Sequence, residues 1–245
     1  MKVRIFDTPE TVACAVAERV ADALAARPSL VLGLPTGRTP IATYAELRRL
    51  HAAGRADFSR ASTFNLDEFA GIPASHAGSF RTFMDRHLFG AVNLSPARIH
   101  FLDGAAGDLD AECARYEAAI EAAGGLDLQM LGIGANGHIG FNEPGDELAA
   151  RTHRVRLADT TRRDNAPLFG GDPANVPREA LSMGVGTILK AAEIVLIATG
   201  ERKAQCVERA VGGPVTTRLP ASFLQLHPRV ELYLDRAAAS RIRRT

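Results

Sequence analysis

SLVLGLPTGRTPIATYAELRRL, residues 29–50, is the stretch on which the fold turns. Residues 29–35 form a short apolar run, residues 36–39 a glycine turn, and the remainder a helical pattern whose start is marked by Thr39 and Pro40. Glycine lets a backbone approach an anion closely, and the free N–H groups of a helix amino end then bind it. Thr36, Gly37, Arg38 and Thr39 are therefore expected to cradle a phosphate. The turn is not a nucleotide P-loop, because Gly-Lys is missing from the places that follow Gly33 in that motif. A tight strand-to-helix turn with a Thr cap is the alternative.

Outward from this unit the same alternation recurs. Apolar runs at 62–68, 98–104, 127–134, 192–200 and 230–235 read as strands. Between them, TPETVACAVAERVADALAARP and LDAECARYEAAIEAAGG carry apolar residues at helical spacing, with Thr8 or Asp110 near the start and Gly124 at the end of the second. Strands alternating with helices predict an α/β protein whose parallel sheet is covered on both faces. No linker or repeat divides the 245 residues, so one domain over 1–245 is expected.

Composition excludes several functions. The formal charge is +1, from 29 basic and 28 acidic residues, which supplies no field for nucleic acid or an anionic membrane. No apolar run approaches the ~18 residues of a membrane span, and MKVRIFDTPE lacks the apolar region of a signal peptide. Cys14, Cys113 and Cys206 have no metal-ligand spacing and read as buried or half-buried thiols. A cytoplasmic location follows as the expectation.

In open parallel sheets, ligands bind at the carboxyl ends of strands. Besides the glycine turn, two other strand ends carry unusual chemistry. Asp67 closes STFNL and is either a turn residue or a general base whose pKa burial and neighbours would tune. GIGANGHIGFNEPG, residues 132–145, begins like the dinucleotide fingerprint, with Gly132, Gly134 and Gly137. That fingerprint needs its third glycine to open a helix, and Gly140, Pro144 and Gly145 would break one. A metal site would pair His138 with Glu143, but no third ligand stands at a recognisable spacing. What remains is an irregular loop holding a proton carrier, His138, beside a carboxylate, Glu143, that fixes its tautomer, with Asn136 in the same turn. His51, His76, His87, His100, His153 and His227 lack companions and read as structural or solvated.

LGLPTGRTP, FNLDEF, GANGHIGFNEP, SMGVGTIL and LQLHP, in this order and spacing, resemble the glucosamine-6-phosphate deaminase family, also called glucosamine-6-phosphate isomerases, from about Val3 to about Ala238. Related 6-phosphogluconolactonases share the glycine turn and a Gly-His pair but not FNEP. The resemblance implies a Rossmann-like three-layer sandwich with a mostly parallel central sheet, a sugar phosphate substrate, and no redox cofactor or metal. It implies that Asp67 removes the C2 proton and that His138 opens the pyranose ring, assisted by Asn136 and Glu143. Many relatives carry Asp in place of Asn136, which holds no charge and would orient rather than polarise. Lys203 matches a phosphate-binding cation.

Two departures bear on substrate grip and regulation. TRRDNAPLF places Pro167 where the family carries a phosphate-gripping arginine, and Arg38 stands where many relatives have a small residue, so a cation is expected to have moved across the phosphate. Arg162 or Arg163 reaching the phosphate is the alternative. The chain stops at RIRRT, and RTHRVRL has His153 and Val155 at basic positions used by allosteric hexameric members. Simple kinetics in a monomer or small homo-oligomer are expected. The function implied is amino-sugar catabolism, glucosamine 6-phosphate giving fructose 6-phosphate and ammonia. A sugar-phosphate lactonase and a non-catalytic sugar-phosphate sensor are the alternatives.

Overall fold

The computed structural model describes residues 1–242; residues 243–245 of the RIRRT end lie outside them. The chain opens with β1 (Lys2–Phe6), α1 (Pro9–Ala26), β2 (Val31–Leu34), α2 (Ile41–Ala52), β3 (Ser62–Asn65), β4 (Asp67–Phe69) and α3 (Phe80–His87). It continues through β5 (Ile99–His100), α4 (Leu109–Ala122), β6 (Leu128–Gly132), β7 (His153–Arg156), α5 (Asp159–Asn165) and β8 (Glu179–Ser182). It closes with α6 (Val185–Leu189), β9 (Glu193–Ala198), α7 (Ala204–Gly212) and β10 (Val230–Asp235).

Seven strands form one sheet in the order β1-β10-β9-β6-β2-β3-β5, every pair parallel. Apolar residues of α1, α2 and α3, such as Val16, Leu47 and Met84, pack on one face, and those of α4 and α7, such as Tyr116 and Val207, on the other. This is the three-layer sandwich expected. Covered on both sides, β2 is buried throughout, which is why it reads as a continuous apolar run rather than an alternating one. A capping box of Thr8 and Thr11 starts α1 where the sequence placed it.

Several expectations need correction. The run at 62–68 is not one strand: after Leu66 the chain leaves the parallel sheet, and β4 joins β8 and β7 in a separate antiparallel sheet, pairing Asp67 with Ser182. The strand at 98–104 shrinks to Ile99–His100, because Pro96–Arg98 forms a 3-10 turn and β5 is an edge strand. Thr39 does not cap α2; Pro40 holds the cap position with no side-chain bond, leaving the Thr39 hydroxyl to the crevice above. Asp110 does fall in the first turn of α4, whose cap is Asp108, accepting the amides of Asp110 and Ala111 at 3.0 Å each. Cys14 is exposed, since it falls on the solvent face of α1, while Cys113 and Cys206 are buried.

Candidate active site

The carboxyl ends of β2 and β6, with the Leu66–Asp67 corner after β3, open into one cleft of about 340 Å³. Thr36, Gly37, Arg38, Thr39, Asp67, His138 and Lys203 all line it. Asn136 and Glu143 do not; they stand behind His138.

Asp67 is 6% exposed, and its Oδ1 has no hydrogen-bond partner among the described residues. Burial, and then the neighbouring Glu68 carboxyl, push its pKa up to about 8, with the Thr36 hydroxyl acting the other way. A buried carboxyl oxygen left unpartnered at a cleft wall is costly unless it serves chemistry there. Its pKa suits proton transfer near neutrality. Glu68, next in the strand, points elsewhere and accepts the amides of Phe69 (2.8 Å), Phe80 (2.9 Å) and Arg81 (3.0 Å). It thereby ties the strand of Asp67 to the amino end of α3, and burial pushes it up to about 7 despite those bonds.

His138 sits on the loop after β6 with Nδ1 buried, 3.5 Å from Glu143 Oε2, a separation slightly beyond a good hydrogen bond. Nε2 is then the nitrogen left for a ligand. Glu143 is held on its other sides by the Thr161 hydroxyl and by Asn136 Nδ2 at 2.9 Å. Burial alone would raise the Glu143 carboxyl, but His138, then Thr161 and Asn136, carry it below the ordinary carboxylate range. Asn136 Oδ1 accepts the His138 amide at 3.2 Å, so it fixes the backbone and the carboxylate rather than the imidazole. Thr161, on α5, had no pattern in sequence that could reveal it.

The glycines that imitate the dinucleotide fingerprint serve this histidine. A Cβ on Gly134 would lie 2.5 Å from the His138 ring, so only glycine leaves space for it. Gly137 turns the chain at φ +89°, a conformation side chains resist. The loop is irregular but pinned: Asn142 of FNEP is 2% exposed and donates to the carbonyls of Ile139 and Met183, both at 2.8 Å. Ser182 of SMGVGTIL accepts the Phe141 amide at 3.0 Å. Asn142→Leu should therefore cost about 2–4 kcal/mol, since two buried carbonyls lose their donor. Denaturant unfolding measures this, and a loss below about 1 kcal/mol would mean the loop re-satisfies them otherwise.

Arg38 and Lys203 form the cationic end. Burial lowers the Lys203 ammonium; Cys206 and Asp164 counter this, and the nearby Arg38 adds repulsion. Two cations side by side await an anion. Neither alternative arginine competes: Arg162 spends its guanidinium on the carbonyls of Pro173 (2.7 Å) and Val176 (3.2 Å), and Arg163 does not line the cleft. Pro167 does line it, offering no charge. Among the remaining histidines, His51 and His227 bond backbone carbonyls at 2.8 Å each, as structural residues do. His87 departs from that reading by lining the cleft together with Arg86, which sequence reasoning also missed.

Parallel strands delivering their ends to one crevice, with cations gathered there, define a three-layer α/β protein that takes a small anionic ligand. Residues 7–233 match the family described as glucosamine-6-phosphate isomerases/6-phosphogluconolactonase. The chain belongs to that family. It is 49% identical over 230 residues to glucosamine-6-phosphate deaminase 2 of Giardia intestinalis, covering 94% of this chain and 88% of that one. It is 46% identical to glucosamine-6-phosphate deaminase 2 of Bacillus subtilis (strain 168), covering 99% and 98% respectively. The solved structure of a monomeric glucosamine-6-phosphate deaminase superposes with a TM-score of 0.95 at 42% identity, covering 98% of this chain and 99% of that one. A 6-phosphogluconolactonase from Thermotoga maritima shares the fold, with a TM-score of 0.75 at 17% identity over 96% of this chain and 99% of that one.

Proposed function

We infer that the protein is an enzyme of amino-sugar metabolism that isomerises and deaminates glucosamine 6-phosphate to fructose 6-phosphate and ammonia. The observation that carries this reading is a buried carboxyl, Asp67, one oxygen of which has no partner among the described residues, lining the same cleft as a histidine backed by a carboxylate and the cations Arg38 and Lys203.

The cyclic sugar hides its carbonyl, so a proton must pass from the anomeric hydroxyl to the ring oxygen. His138 does this through Nε2, while Glu143 and Asn136 hold its ring and backbone. In the open sugar, ionised Asp67 takes the C2 hydrogen as a proton and returns it to C1, while a proton given up by the C2 nitrogen passes to the carbonyl oxygen O1, so that aldehyde and amine become alcohol and imine. The C2 imine that results is hydrolysed by water, releasing ammonia and leaving the ketose. The phosphate rests on the turn at Thr36, Gly37 and Thr39, between Arg38 and Lys203. A lactonase needs only an activated water and no carbon base, and it leaves Asp67 unused.

The test is direct. Purified protein given glucosamine 6-phosphate should release ammonia and fructose 6-phosphate in equal amounts, with hyperbolic saturation. Neither product would appear from a lactonase or a sensor. Among the described residues no helix is long and apolar enough to cross a membrane. A metabolic substrate supports work in the cytoplasm, and the likeness to a monomeric relative supports a monomer or small homo-oligomer, which light scattering measures.

A further inference from the structure

The cleft holds one cation that the reaction so far leaves without a task. Arg86 lies in the last turn of α3 and lines the cleft, and its side chain has no ion pair or hydrogen bond among the described residues. Its neighbours differ: Arg81 on the same helix pairs with Asp85 at 3.1 Å, and Arg162 is bound to backbone carbonyls. His87 beside it stays neutral at pH 7, because burial and then Arg86 and Arg48 lower its pKa, so the positive charge of this turn belongs to Arg86.

The placement of α3 is fixed at its amino end and at its middle. Its amino end is clamped by Glu68, next to Asp67, and by Ser79, which accepts the Thr82 amide at 3.0 Å. Six residues of helix rise about 9 Å from Phe80 to Arg86. Midway along it, Phe83 shares an apolar cluster with Ile41, the first residue of α2, and both line the cleft. Arg86 therefore stands beside the turn that cradles the phosphate. Lys203 immediately precedes α7, which packs on one face of the main sheet, and α3 packs on the other, so the two cations come to the β2 turn from opposite faces. The carbonyl end of a helix repels an anion unless a cation covers it, and Arg86 covers this one.

We propose that Arg86 is a specificity-determining residue that closes the grip on the sugar phosphate from the α3 side, opposite Lys203. This rests on the deaminase reading. Its guanidinium offers a planar fork to phosphate oxygens, and Pro167 supplies no cation of its own to the cleft.

Three measurements on Arg86→Ala, Arg86→Lys and the control Arg163→Ala decide it. KM for glucosamine 6-phosphate should rise at least ~10-fold in Arg86→Ala with kcat nearly kept, as expected when a charged hydrogen bond to substrate is lost. Binding of inorganic phosphate, followed by calorimetry, should weaken by a similar factor, and kcat/KM for unphosphorylated glucosamine should stay as in the parent. Arg86→Lys should recover part of the loss, and Arg163→Ala should match the parent. An unchanged KM, or equal losses on phosphorylated and unphosphorylated sugar, overturns the proposal. If the parent releases no ammonia, the deaminase reading fails instead, and phosphate binding by Arg86→Ala still decides the grip.

Discussion

Asp67→Asn loses at least ~10²-fold in deamination rate, the lower range for a missing general base, yet melts higher than the parent at pH 8. The amide keeps the shape of the carboxyl but cannot accept the C2 proton. The stability gain follows from linkage. Burial raises the Asp67 carboxyl from its usual 3.8 to about 8, so the folded chain holds this proton where the unfolded chain has released it. Stability associated with Asp67 is fully present below the unfolded value and is lost as pH rises through about 8. Asparagine removes that loss, by about 1 kcal/mol or more, which is about 2–4 °C in a chain of this size. The difference in Tm between variant and parent should shrink toward pH 4. For the parent, kcat/KM should climb with pH through about 8, because only the ionised base works. A variant that keeps its rate would make Asp67 a turn residue, and a parent profile flat from pH 6 to 9 would contradict the buried base.

His138→Gln should lose ~10²-fold or more on the cyclic sugar and far less on an open-chain analogue, because its task ends once the ring opens. Glutamine keeps a polar head against Glu143 but cannot carry a proton in both directions. Equal losses on the two substrates would place His138 in a later step. Structural collapse is separable from lost chemistry here, since Asn142 and Ser182 hold the loop without help from the imidazole.

Much of the architecture was legible because its signals are local. Thr8 and its capping box, the buried run of β2 and the helical spacing of α4 each depend on residues close in sequence. The second sheet was not legible. Its strands are three or four residues long, and β4 follows β3 after one residue, so only the distant partner Glu179–Ser182 reveals that the chain has changed sheets. Asp67, His138 and Glu143 could be picked out by residue type at strand ends, whereas Thr161 and Arg86 sit on ordinary helical stretches. Asn142 had the opposite fate: it belongs to the most distinctive motif, yet its amide is spent on two carbonyls. A conspicuous motif marks a demanding position without saying whether the demand is chemical or architectural.

The strand of Asp67–Phe69 has a practical meaning for redesign. Consecutive residues face opposite ways, so one side of this tripeptide lines the cleft while the other fastens a helix through two amides, those of Phe80 and Arg81. An engineer seeking to widen the range of accepted sugars gains nothing by diversifying it, because each change disturbs catalyst and scaffold together. The far end of the fastened helix is the better place to vary. The Arg86 side chain has no partner among the described residues while its helix is anchored at the other end, so the pocket can be reshaped there with Asp67 left in position.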